Sequence, residues 1–200
     1  MSASTHTRHE GLDRRAAVQR VLADRGDLLV LSSLGGPSYD VAAATGEDPL
    51  DFPLGGAMGS ATMMGLGLAL AQPTRRVLVV AGDGEMLMSL SSLATIGVEQ
   101  PENLAILVVD NEHYAETGMQ RTHTGRGVDI PAVARACGFA EAREVRTADE
   151  IEQAVSVLRK SAGPVLVSLK VSNEIAPVFP RVRDGVWFKC RFRQALLGHL

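Results

Sequence analysis

The chain has 200 residues, 46% of them hydrophobic, and a formal net charge of −3. That size suits one domain with a core of several strands and helices, and the charge gives no reason to expect nucleic acid. Two cysteines, Cys137 and Cys190, are too few for a disulfide framework or a four-cysteine zinc site and read as small packing residues.

The opening stretch MSASTHTRHEGLDRR is polar and has no apolar signal core. Over 10–25, apolar residues recur at Leu12, Ala16, Val18, Val21 and Leu22, which predicts an amphipathic helix stopped by Gly26. A short buried strand follows at 28–31. A glycine-containing turn occupies 32–37, and a helix with proline in its first turn occupies 37–44. Pro49 and Pro53 leave 46–56 irregular. The apolar stretch 57–71 is shorter than the ~20 residues of a membrane helix. It holds Gly59, Gly65 and Gly67, and 58–71 reads as a helix of small residues able to pack closely on a sheet. A soluble, cytoplasmic protein with no membrane association is the expectation.

The run VLVVAGDG predicts a strand at 77–81 leading into a glycine turn. A helix covers 85–100, with a break near Ser91, and a second apolar strand covers 104–110. The segment 114–127 has three glycines and no period, and reads as a mobile active-site loop. A helix at 130–137, a weak strand at 142–145 and a helix at 148–160 follow. The last of these puts Ile151, Val155 and Leu158 on one face. The final strand is 164–171. Residues 173–200 read as a tail with a short helix at 193–197. Its basic residues Arg181, Arg183, Lys189, Arg191 and Arg193 read as a solvated or interface-facing surface rather than a nucleic-acid patch.

Strands alternating with helices predict an α/β fold, a doubly wound parallel sheet with helices on both faces, as a single domain over 1–200. Such sheets bind ligands outside the carboxyl ends of their strands. Asp83 ends one predicted strand, and Asn111, twenty-eight positions further on, ends the next. Two parallel strands joined by one helix would set them side by side. A carboxylate beside an amide oxygen suits a hard cation, and Gly82 and Gly84 let backbone N–H groups approach a phosphate. The dinucleotide fingerprint fails, because its third glycine would fall at Leu87. No P-loop sequence occurs.

GDG at 82–84 followed by Asn111 resembles the thiamine diphosphate-binding motif. The stretch GGAMGSATMMGLGLALA resembles the segment that precedes GDG in that family, and SSLGGPS resembles its early loop. The resemblance implies Mg2+ held by Asp83, the Asn111 side chain and the backbone carbonyl of His113. It implies thiamine diphosphate contacts from Ser33, Gly35, Gly82, Gly84, Glu85 and Tyr114. The Gly56 carbonyl would hold the pyrimidine amino group, and Met58 would wedge under the cofactor and bend it.

The similarity runs over roughly 10–172 and is above all to the small β-subunits of sulfopyruvate and phosphonopyruvate decarboxylases, which carry only the diphosphate-binding half of a thiamine enzyme. It implies a partner α-type chain that binds the pyrimidine and supplies the catalytic glutamate, since Glu10, Glu47 and Glu85 lack the context for that role. The substrate implied is a small 2-oxo acid. Carboligation or acyl transfer on the same residues is the alternative, and a non-catalytic partner subunit is a third reading. After Asn111 this chain departs from the decarboxylases with NEHYAETG. Glu116 would repel a sulfonate or phosphonate by several kcal/mol at ~4 Å and an effective dielectric near 20, unless it is protonated and acts as a general acid. Arg121 and Arg126 are expected to offset it or to bind a substrate carboxylate; His113 and His123 are candidate proton carriers near neutral pH, with His123 read first as an exposed loop residue.

Overall fold

The computed structural model describes residues 11–180 and 182–199. Glu10 and Arg181, which enter the sequence reading, lie outside them. The strands are β1 (Leu29–Ser32), β2 (Asp51–Pro53), β3 (Val77–Gly82), β4 (Leu104–Asp110), β5 (His113–Tyr114), β6 (Gln120–Arg121), β7 (Glu141–Val145) and β8 (Val165–Lys170). Six of them form one parallel sheet in the order β2-β1-β3-β4-β8-β7, and β5 and β6 form a small antiparallel hairpin.

The central strands are apolar over most of their length, and β4 is apolar from Leu104 to Val109, because helices cover both faces of the sheet. Leu29, Leu31, Val77, Val79, Leu104 and Ile106 point to one face. There they meet α3 (Ala61–Ala71), α4 (Asp83–Met88), α5 (Ser92–Glu99) and α6 (Ile130–Ala136). The alternate residues Val30, Leu78, Val80, Leu107, Val109 and Val167 meet α1 (Arg14–Leu22), α2 (Gly36–Thr45) and α7 (Ile151–Lys160) on the other. This is the doubly wound parallel sheet that the alternation predicts. At Gly65 in α3, a Cβ would stand 2.2 Å from Val79 Cγ2, so the helix backbone rests directly on the sheet.

Three local features differ from expectation. The edge strand β2 lies in the stretch read as irregular; it is three residues long and ends on proline. The helix read as 58–71 begins at Ala61, because Gly59 at φ +87° turns the chain just before it, so Met58 stands on a loop. The helix read as 85–100 does divide near Ser91 as expected, into α4 and α5, separated at residues 89–91. The segment 114–127 is folded rather than loose, since it carries the β5–β6 hairpin and the buried hydroxyls of Thr122 and Thr124.

The tail holds α8 (Gly185–Leu197), thirteen residues where a short helix at 193–197 was expected. Asp184 caps it, accepting from the Val186 and Trp187 N–H groups at 2.8 and 3.0 Å. The helix lies along β2. Phe192 packs edge-on against Phe52 at 5.6 Å between centroids, and Arg191 donates to the carbonyls of Glu47 and Asp51, each at 2.7 Å. A sheet edge presents unpaired backbone groups, and a covering helix shields them. Arg191 thus serves the fold. No helix among the described residues is long and apolar enough to cross a membrane.

Candidate functional site

The strand order reverses direction between β1 and β3, and this is where doubly wound sheets open a crevice at their carboxyl ends. Three turns meet there: 33–37 after β1, 82–85 after β3, and 111–117 after β4. Together they line one cavity. Ser33, Gly35, Met58, Gly82, Asp83, Gly84, Glu85, Asn111, His113, Tyr114 and Glu116 all border it. Gly56 is not among them; it is exposed on the loop before α3.

Asp83 and Asn111 leave adjacent parallel strands, with Gly82 in register with Val109. Asp83 is 2% exposed and pairs with no lysine or arginine among the described residues. Thr122 donates its hydroxyl to Asp83 Oδ2 at 2.6 Å, and the Thr124 hydroxyl oxygen lies 3.3 Å from the same atom. Burial, and then the nearby Asp110 carboxylate, push its pKa up from 3.8 to about 7, with partial relief from Thr122 and the Asp83 and Gly84 backbone. The charged form therefore lacks compensation, and such a carboxylate suits a cation.

Asp110 has the compensation that Asp83 lacks. Lys170 Nζ lies 2.8 Å from Asp110 Oδ2 and 3.0 Å from Glu112 Oε1. Burial works against the Lys170 ammonium, but Asp110 and then Glu112 outweigh it and hold its pKa above the ordinary value. Thr124 bridges the two aspartates, donating to Asp110 Oδ1 at 2.9 Å. A buried polar network of this kind fixes its members only when each is satisfied.

The Asn111 side chain accepts from the His113 N–H at 3.1 Å, and His113 Nδ1 lies 2.8 Å from the Asn111 carbonyl. The imidazole thus turns back on its own loop. Glu85 is buried, and its Oε1 accepts from the Ala61 N–H at 3.3 Å. Its side chain therefore ties the start of α3 to the turn after β3.

One aromatic, one methionine and two charged contacts shape the walls. At Gly84 a Cβ would stand 2.5 Å from Tyr114 Cε1 and 3.7 Å from Met58 Cε, so the ring lies directly on the glycine. At Gly35, which has φ +69°, a Cβ would stand 2.8 Å from a Glu116 carboxylate oxygen. At the adjacent Gly36 it would stand 2.8 Å from Arg14 Nη1. A carboxylate and a guanidinium thus lie against neighbouring glycines of one turn.

Neither Arg121 nor Arg126 lines the cavity. Arg121 donates to the Gly125 carbonyl and lies 3.9 Å from Glu112, so the expected offset of Glu116 does not come from them. His123 is exposed and lies outside this cavity. The sequence reading missed Arg14, Asp110, Thr122, Thr124 and Lys170. Asp110 was marked by its place beside Asn111 at a strand end. Lys170 was marked as a charge inside an apolar run.

The chemistry available is a hard-oxygen site beside glycine turns. Residues 40–169 match the family "thiamine pyrophosphate enzyme, C-terminal TPP binding domain". The chain is 43% identical over 159 residues to phosphonopyruvate decarboxylase of Streptomyces viridochromogenes, covering 79% of this chain and 39% of that one. It therefore spans about two fifths of the length of that relative. It is 40% identical over 171 residues to sulfopyruvate decarboxylase subunit beta of Methanothermobacter thermautotrophicus, covering 84% and 87% of the two chains. In fold it resembles benzoylformate decarboxylase of Polynucleobacter necessarius, with TM-score 0.67 and 19% identity over 89% of this chain and 36% of that one. Matched over most of its length by this profile, and carrying GDG and Asn111 at the switch point of its sheet, the chain belongs to the thiamine pyrophosphate enzymes through their C-terminal TPP-binding domain.

Proposed function

We propose that this chain is the diphosphate-binding subunit of a thiamine diphosphate- and Mg2+-dependent 2-oxo acid decarboxylase. The observation that carries the reading is the single cavity at the β1–β3 switch point, bordered by Asp83, Asn111 and the glycine turns. The donors suit Mg2+. Asp83 is buried with its charge uncompensated, and Asn111 and the His113 carbonyl would add neutral oxygens. Among the described residues no group of three or more His, Cys, Asp or Glu side chains could hold a metal. That agrees with Mg2+, which takes few protein carboxylates and fills its octahedron with phosphate and water oxygens.

Thiamine diphosphate, when bound, supplies the electron sink for loss of CO2 from a 2-oxo acid. This chain's residues would hold its diphosphate with the turns at Ser33, Gly35, Gly82 and Gly84, together with Glu85. Met58 and Tyr114 form the apolar wall against which the rings would rest. The Gly56 carbonyl, on the same loop as Met58 but outside the cavity lining, would hold the pyrimidine amino group. Glu116 and His113 border the same space and are the groups placed to hold or pass a proton at the substrate.

The cavity's buried acids are Asp83 and Glu85, and the first is spent on the cation while the second binds the start of α3. The glutamate that activates the cofactor would then come from an α-type partner chain, as the family resemblance implies. The relative named as a subunit beta supports this division. The substrate is a small 2-oxo acid, in the class of sulfopyruvate and phosphonopyruvate.

The test is to isolate the chain with its co-purifying partner and measure CO2 release from a panel of 2-oxo acids, with and without Mg2+ and thiamine diphosphate. Release that needs both additions and both chains is expected. Decarboxylation by this chain alone would overturn the partner assignment, and failure of the assembly to bind thiamine diphosphate in Mg2+ would overturn the cofactor reading.

A further inference from the structure

The cavity wall carries three carboxylates, on Asp83, Glu85 and Glu116, and Arg14 is the one arginine or lysine among its described lining residues. An anion entering such a space meets repulsion from every side except that of Arg14 and any bound cation. Arg14 is the first residue of α1, and Asp13 fixes the helix start by accepting from the Ala16 N–H.

The guanidinium is held from behind. Arg14 Nε lies 2.5 Å from Asp40 Oδ2, and Nη2 donates to Asp40 Oδ1 at 3.3 Å. Asp40 is fully buried and the Arg14 side chain only 11% exposed, so the fork is set before any ligand arrives. The third nitrogen, Nη1, donates to no group among the described residues. It lies over Gly36, in the turn that faces Gly82–Asp83–Gly84 across the cavity, and Gly36 leaves it room by having no side chain. A planar, permanently charged fork with a free N–H edge matches phosphate oxygens.

We propose that Arg14 is an anion-binding residue of this cavity, its Nη1 edge taking an oxygen of the cofactor's diphosphate. The proposal rests on the thiamine diphosphate reading above. Asp40 is the positioning residue that aims the fork, and fixing it in advance removes part of the ordering cost of binding. Arg15 provides the comparison. It also lies against Asp40, at 3.3 Å, but borders no part of the cavity.

The experiment is calorimetric titration of the full chain, in the assembly in which it is isolated and in Mg2+ buffer, with thiamine diphosphate and separately with inorganic diphosphate. Arg14→Gln is expected to weaken both by about ten- to a hundredfold, the range of one charge-assisted hydrogen bond, and Arg15→Gln to leave both unchanged. Gly36→Ala adds a Cβ where Nη1 now lies, at a position whose φ is not in the left-handed region, and is expected to weaken both several-fold while sparing the Asp40 pair. Should Arg14→Gln fail to fold, Gly36→Ala carries the test. Wild-type affinity in Arg14→Gln or Gly36→Ala, or equal losses in Arg14→Gln and Arg15→Gln, would overturn the proposal while leaving the cofactor reading intact. Absence of thiamine diphosphate binding by the wild-type assembly would overturn both.

Discussion

Thr122 donates its hydroxyl proton to Asp83 Oδ2 at 2.6 Å across thirty-nine positions of the chain. A residue of the segment after β4 thereby holds the carboxylate that ends β3. The bond is fully buried, so losing it leaves a charged acceptor short of a donor. Thr122→Val is expected to cost about 1–3 kcal/mol of folding stability and to speed hydrogen exchange through 113–127. Thr122→Ser is expected to recover most of both. Denaturant unfolding with amide exchange would decide it, and unchanged exchange in Thr122→Val would show that the hydroxyl does not pin the segment.

Asp83 sets a pH dependence with a definite sign. Its folded pKa is raised from 3.8 to about 7, so the folded chain binds a proton that the unfolded chain has released. Its contribution is therefore fully present below about pH 4 and is lost as pH rises towards 7. The metal-free protein is expected to lose thermal stability over this interval from this group, and Asp83→Asn to remove that part of the slope. Because Mg2+ competes with the proton, Mg2+ with thiamine diphosphate is expected to raise Tm more at pH 8 than at pH 6. Calorimetry across pH on both proteins is the measurement; an identical slope in Asp83→Asn would count against it.

Gly84 and Tyr114 form a pair that a double-mutant cycle can read. Adding a methyl at Gly84 puts it 2.5 Å from the ring, so Gly84→Ala is expected to destabilise by about 1–3 kcal/mol through overpacking. In a Tyr114→Ala background the same change is expected to cost much less, giving a coupling within the range found for touching residues. Additive losses in denaturant unfolding would mean that the ring does not rest on the glycine in solution.

Arg191 joins α8 to the sheet through two carbonyls, and its guanidinium stacks on Trp187 at 4.5 Å. Arg191→Ala is expected to cost about 1–3 kcal/mol and to expose the 182–199 segment to protease before the rest of the domain. Limited proteolysis read by mass spectrometry would show whether cleavage begins there.

The order of legibility follows the physics of each signal. Asp83 and Asn111 could be read because each ends an apolar run long enough to be a buried strand, and parallel pairing then sets them together. Strand β2 could not, since three edge residues ending on Pro53 carry no period, and its pairing partner β1 lies twenty residues earlier. Thr122 and Thr124 sit in a glycine-rich stretch whose polarity looks like that of a solvated loop, and only tertiary contact reveals their burial. Arg14 reads as the outward side of an amphipathic helix; it turns inward because Asp40, on α2, captures it. The helix α8 was shortened because its first turns mix arginine with aromatics, and its cap, Asp184, is hidden in the charged stretch RVRDG.

The shielding of β2 has a consequence for the making of the protein. The strand leaves the ribosome by residue 53, while Arg191 and Phe192 follow more than a hundred residues later. Through that interval the sheet can assemble with one side still open to pairing, and neighbouring nascent or stalled chains offer strands of their own. A messenger truncated after β8 would yield a molecule with its switch-point crevice formed and its flank unguarded. Its loss would register first as poor soluble yield rather than as weakened chemistry.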